Sequence, residues 1–298
     1  MATDTMYPPD VRTTGRVTSP AAGIRPSAAT FRCSIALAFV TAAASAATAF
    51  VPDLLRGPAV MNGSARGTAI VLLFATVPLL VLGMWFTARG SARGLFVWAG
   101  ALAHVLYQST LFLFATPFNE MFLLYVAMGS LALWGLIAMA TSIDAERVRA
   151  HVAHGVPVRG IAIYIGFIVV ANTAGWLARV IPELTAERPA FLIGTGLVTN
   201  PIFVQDLLWW LPLMGVAAWW LWHERTWGHL TVGAMLVMWQ VESVTVALDQ
   251  WMGHQADPAS DVATVGGAWL FVVMALVGIV PLVAFFRHVG APHAADPA

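Results

Sequence analysis

The stretch Trp239–Trp251 (WQVESVTVALDQW) places two carboxylates, Glu242 and Asp249, inside a run that otherwise reads as apolar. Seven residues apart, they share one helical face with Thr245 and lie about 10 Å apart along the axis. A carboxyl at bilayer depth must be protonated, paired or beside water, and such residues mark proton relays, ion paths or ligand sites. Other polar residues fall under the same rule. His104, Tyr107 and Gln108 share a face at i, i+3 and i+4, and Asn172, Trp176, Arg179 and Glu183 form a second stripe. Asp206 follows Asn200-Pro201 by about one turn, and Asn119-Glu120 precedes another apolar run. Arg179 stays charged at any accessible pH and is predicted to pair with Asp206 or Asp249. Glu242 has no basic neighbour on its own helix and is predicted to be a neutral acid that donates to Gln108, His104 or Asn172. Asn172, Arg179, Asp206, Glu242 and Asp249 are therefore the candidate ligand-binding set, lining a polar cavity open to the outer side. His104, Gln108, Asn119, Asn200 and Gln250 are its polar support. The competing reading is an Arg–Asp clamp and a hydrogen-bonded Glu242, both serving helix packing.

Cofactor and metal chemistry find little support. A haem held by two imidazoles needs a second histidine at the depth of His104, whereas His223 and His229 fall at inner helix ends and His254 in a loop. His151-x-x-His154 has helical metal spacing, but its loop lacks other strong ligands and reads as a solvated pair. Cys33 stands alone and reads as a packing residue. No cofactor and no metal are expected. An aspartate-rich diphosphate motif, a histidine-box iron motif and a Ser–His arrangement are all missing from the sequence. Every basic residue is arginine, which removes a retinal Schiff base. Most of the 13 tryptophans, among them Trp209, Trp210, Trp219, Trp220, Trp222 and Trp227, fit interfacial belts.

The elements that carry these residues are set by composition. Hydrophobic residues make up 59% and charged residues 10%, with mean hydropathy +0.78, against about 25% charged in a soluble domain. Eight apolar segments, near 34–55, 68–88, 94–115, 121–142, 160–181, 202–222, 229–251 and 264–286, each reach span length. An all-α bundle of eight transmembrane helices over residues 33–288 is predicted, with a disordered cytoplasmic tail at 1–32 and a short one at 289–298. Eleven arginines (12, 16, 25, 32, 89, 93, 147, 149, 159, 225, 287) then fall on the cytoplasmic side. Four (56, 66, 179, 188) fall outside, so both termini are predicted to be cytoplasmic. Cleavage after Ala44-Ser45-Ala46 would leave seven helices, but the apolar run continues to span length and predicts a retained first helix. The outer loop 182–201 is predicted to cover the bundle. No convincing internal repeat stands out, so an inverted-repeat transporter is not supported.

Several segments resemble a group of uncharacterised bacterial multi-pass membrane proteins frequent in actinobacteria. They are Ala88-Arg-Gly-Ser-Ala-Arg-Gly94, Phe118-Asn-Glu-Met-Phe-Leu-Leu-Tyr-Val126, Asn200-Pro-Ile-Phe-Val-Gln-Asp-Leu207, and Asp249-Gln-Trp-Met-Gly253 with Ala256-Asp-Pro258 nearby. The resemblance implies that Asn119, Asn200, Asp206, Asp249 and Gln250 are shared and implies no activity. Tyr107-Gln108-Ser109 departs from the aromatic–Asn–aromatic run that the resemblance implies on helix three.

These readings point to a multi-pass protein of the bacterial cytoplasmic membrane. Its partners would be membrane lipids and a small solute or cation, with no nucleic acid, and its oligomeric state is left open. The alternatives are an accessory subunit whose polar residues serve packing, and an enzyme acting on a lipid or isoprenoid.

Overall fold

The computed structural model describes residues 24–152 and 155–290. Of the tails expected over 1–32 and 289–298, residues 1–23 and 291–298 lie outside them, as does His154, while Ala28–Arg32 already belong to the first helix. Eight helices are long and apolar enough to cross a membrane, because a chain in lipid must satisfy its backbone hydrogen bonds within each segment. They are α1 (Ala28–Phe50), α2 (Ala59–Ala88), α3 (Ala92–Phe114), α4 (Phe122–Ser142), α5 (Val158–Glu183), α6 (Pro201–Trp222), α7 (Thr226–Ala256) and α8 (Val265–Phe286). Side-chain caps start several of them. Ser27, Ser91 and Thr264 accept from the amides of Thr30, Gly94 and Gly267, and Asn200 accepts from Ile202 with Pro201 in the first turn.

We call the end with loops 51–58, 115–121, 184–200 and 257–264 the far end; the arginine bias predicts that it is the outer one. α3 and α7 are the most buried spans, and α5 and α8 the least. α7 packs on α2, α3, α6 and α8, while α1 lies against α2 and α4. The loop 184–200 covers the far end: a Cβ on Gly196 would touch Pro58, and one on Gly194 would touch Val262.

One helix runs well past its apolar run. α2 begins nine residues before the expected 68, so Arg66 lies within the helix and not in a loop. The cause is packing: a Cβ on Gly67 would stand 2.7 Å from the Leu248 carbonyl, and Gly63 and Gly253 meet the facing helix as closely. Small residues let the two backbones touch, and that contact holds a segment too polar to be recognised by hydropathy.

The fold also contains a repeat that the linear reading missed. At a spacing of 134 residues, the hairpin α2–α3 matches α6–α7 feature by feature. A π-helical turn at Leu72–Thr76 corresponds to one at Asp206–Trp210. Pro78 and Pro212 follow each by two positions. A proline lacks an N–H and crowds the carbonyl four residues back, here Phe74 and Leu208, and a wider π turn relieves both. The connections agree as well. Gly90 and Glu224 both adopt positive φ (85° and 52°), and Ser91 and Arg225 donate to the carbonyls of Phe86 and Trp220. Gly94 and Gly228 then pack against the preceding helix at equivalent atoms.

Both hairpins enter from the same side, so the repeat is parallel, with its axis along the helices. α3 and α7 cross on that axis. A Cβ on Gly100 would stand 2.7 Å from the carbonyl of its counterpart Ala234, and Gln108 donates to its counterpart Glu242. Few identities survive, namely Leu73/Leu207, Pro78/Pro212, Leu79/Leu213, Trp85/Trp219, Gly94/Gly228, Leu102/Leu236 and Ser109/Ser243. That sparsity is why the sequence alone did not reveal the repeat.

Candidate functional site: a buried acid–histidine cluster on the repeat axis

Glu242 sits halfway along α7 and His104 halfway along α3, where the two helices cross. Neither reaches solvent to any extent (6% and 0% exposed). His104 Nε2 lies 3.2 Å from Glu242 Oε2 and 3.0 Å from Thr245 Oγ1, while its Nδ1 lies 3.0 Å from Thr76 Oγ1. Gln108, one turn above His104, donates its amide to the same Oε2. The donor pattern assigns the imidazole. The Thr245 hydroxyl donates to the Val241 carbonyl at 2.9 Å, so its oxygen is free to accept. Nε2 therefore carries a hydrogen shared between Thr245 and Glu242, and Nδ1 accepts from Thr76, whose other acceptor, the Val71 carbonyl, is the more distant at 3.5 Å against 3.0 Å. Two N–H groups aim at Oε2, while Oε1 takes no part in these bonds and is the place where a proton can add. The cluster thus holds a carboxyl and an imidazole in contact, out of bulk water.

A second polar group lies toward the far end. Asp206 opens the π turn of α6 and is buried, with both oxygens occupied. Tyr107 donates its hydroxyl to Oδ1 and Trp176 its indole N–H to Oδ2, each at 2.9 Å. Asp206 thereby ties α6 to α3 and α5. The Tyr107 and Trp210 rings meet at a tilt of 56° with centroids 5.6 Å apart. Beside them Gln205 is fully buried on the α6 turn that packs against α3.

The expected set is therefore divided. Glu242 meets two of its three named partners, Gln108 and His104, but against the expected direction it accepts the Gln108 amide and does not donate to it, because the amide nitrogen and not the carbonyl of Gln108 faces the carboxyl. Asn172 does not join them, because its amide returns to the Ile168 carbonyl of its own helix at 2.9 Å. Arg179 pairs with neither acid: it is exposed, lies 5.9 Å from the Trp176 ring, and forms no ion pair among the described residues. Trp176, one turn earlier on α5, has already filled the Asp206 position with a neutral donor, and the exposed stretch around Arg179 leaves its charge near the membrane surface. Asp249 faces α2 instead. It receives the Gln250 amide at 3.2 Å, and Ser64 donates to its backbone carbonyl at 3.3 Å. Gln250 in turn accepts from the Thr264 amide at the start of α8. Asn200 caps α6. Asn119 bonds the Met121 amide and the Pro117 carbonyl, and lines a recess of about 110 Å³ at the far end with Phe112, Phe122 and Tyr125. None of the five proposed ligand residues reaches that recess.

Sequence reasoning missed Thr76 and Gln205. Thr76 had one usable signal, its place two residues before Pro78 in an apolar run. Gln205 had another, its place beside Asp206 in the Asn200–Leu207 segment. His151, half of the spaced pair, turns its Nδ1 to the Arg147 carbonyl at 2.8 Å. No family description, no curated protein and no solved structure matches this chain.

Proposed function

We propose that this integral membrane protein is a proton-linked transporter of a small solute or cation, with Glu242 as the proton-bearing group and His104 and Gln108 as its partners. The observation that supports this reading is the contact of Glu242 with His104 and Gln108, buried at the middle of the two most central helices. An ionisable pair at that depth carries a large desolvation cost, and in membrane proteins such pairs recur in proton relays. The amide and imidazole N–H groups around Oε2 favour a carboxylate that gains and loses a proton over one that wraps a bare cation, since they present hydrogens and not lone pairs. Asp206 is the next polar station toward the far end.

The test is proton flux into proteoliposomes holding a pH-sensitive dye, driven by a valinomycin-clamped potassium gradient. Wild-type vesicles should acidify or alkalinise with the sign of the gradient, and Glu242→Gln vesicles should behave as empty ones. Wild-type flux no greater than that of protein-free vesicles overturns the reading.

A packing role has its own support: the two neutral donors that saturate Asp206 form a clamp across three helices. Under that reading Glu242→Gln and wild type would be equally silent in the flux assay.

A further inference from the structure

Four buried polar atoms along one side of the acid cluster make no hydrogen bond to protein. They are both amide atoms of Gln205, the Oε1 of Gln108 and the Nε1 of Trp210. Their residues are 0%, 1% and 7% exposed, so lipid and bulk water are equally out of reach. Gln205 stands beside the Tyr107 hydroxyl, which donates to Asp206, and neither atom of its amide reaches good hydrogen-bond geometry with a protein group. Gln108 spends its amide N–H on Glu242 and keeps its carbonyl free. Two donors and two acceptors are thereby gathered between the acid on the repeat axis and the acid at the far-end π turn. Buried polar groups are nearly always satisfied by protein or by ordered water, and a buried water needs two to four polar partners.

We infer that Gln205, Gln108 and Trp210 line a chamber of ordered water between α3 and α6 that connects Glu242 to Asp206. This deepens the transport reading and rests on it for its purpose, though not for its existence. The water chain serves as the far-end half of the proton path. A proton arriving at Asp206 binds a carboxylate oxygen, and that O–H bond breaks as a new one forms on the adjacent water. That water releases a different proton to its neighbour, and the last one protonates Glu242. Each hop makes one O–H bond and breaks one, so nothing is consumed. Return of the Asp206 carboxylate to its bonds with Tyr107 and Trp176 resets the outer station.

Radiolytic hydroxyl-radical footprinting of the full chain in nanodiscs tests the chamber, since bound water inside a protein generates label where bulk water does not reach. Tyr107, Trp210 and Met238, which packs with them, should oxidise several-fold faster than Trp98 and Met128, which are also buried but lie away from the four unpartnered atoms. Gln205→Leu should bring the three down to the control rate. Wild-type labelling at the control rate overturns the inference whether or not any variant folds, and so does labelling unchanged in a folded Gln205→Leu. In the dye assay the same variant should slow proton flux several-fold. Labelled residues in a wild type without flux would leave the chamber standing and remove the transport reading.

Discussion

The hairpins Leu72–Phe114 and Asp206–Leu248 share one backbone and almost no chemistry. They agree in the π turn, the proline, the positive-φ turn residue and the packed glycine. At the positions that matter to the site they disagree: Leu72 against Asp206, Thr76 against Trp210, His104 against Met238, Tyr107 against Val241, Gln108 against Glu242, Leu111 against Thr245. In every pair but Thr76/Trp210 a polar member then bonds across to the other hairpin, while Thr76 bonds His104 of its own. His104 of the first reaches Glu242 and Thr245 of the second, and Tyr107 of the first reaches Asp206 of the second. A duplicated scaffold brings equivalent positions together on its axis. Divergence of the two copies converts that meeting point from a symmetric contact into a complementary one, with donors on one side and an acid on the other.

Substitutions that restore or exaggerate the symmetry are the direct way to challenge this comparison. The largest effect is expected at Glu242. Glu242→Ala leaves a cavity and strips Gln108 and His104 of their acceptor, and should lower stability by about 3–5 kcal/mol with complete loss of flux. Glu242→Gln makes the axis pair Gln–Gln, and should lose flux while costing no more than about 1 kcal/mol. Thermal unfolding in detergent beside the flux assay separates the two. A Gln variant as unstable as the Ala variant would show that the negative charge itself holds the helices together.

Next comes the crossing point. Gly100→Val drives a side chain into the Ala234 carbonyl, and overpacking there should cost about 1–3 kcal/mol. If unfolding temperature is unchanged, α3 and α7 do not cross where equivalent residues meet, and the axis is misplaced. Tyr107→Phe removes one of the two bonds to Asp206 and should cost about 1–3 kcal/mol, measured in the same way.

The turn residues give a smaller and oppositely signed pair. Glu224 occupies the left-handed region where its counterpart is Gly90. Glu224→Gly should therefore stabilise by up to about 1 kcal/mol, and Gly90→Ala should destabilise by about 1 kcal/mol. Effects of the same sign would break the equivalence of the two turns.

Much of this molecule was legible from its residues. The number and type of the spans follow from hydropathy and the backbone's need for internal hydrogen bonds, and all eight expected segments are helices. Helical periodicity put His104, Tyr107 and Gln108 on one face and Glu242 with Thr245 on another, and those faces meet. What periodicity does not supply is the partner across a helix gap. Arg179 and Asp206 looked complementary by charge and depth, yet neutral donors from Tyr107 and Trp176 occupy the acid, because hydrogen-bond geometry and not charge alone decides which side chain reaches it. Arg66 looked like a loop residue until glycine contacts between α2 and α7 extended the helix around it. The repeat was the hardest to read. Lipid-facing positions accept almost any apolar residue, so two copies of one hairpin drift apart in sequence while backbone hydrogen bonds, the proline-driven π turns and close glycine contacts keep their shape. The sequence by itself determined an eight-helix membrane chain and the faces that carry its polar groups. Only the tertiary structure decided which faces share an axis, since that depends on how closely two backbones can approach.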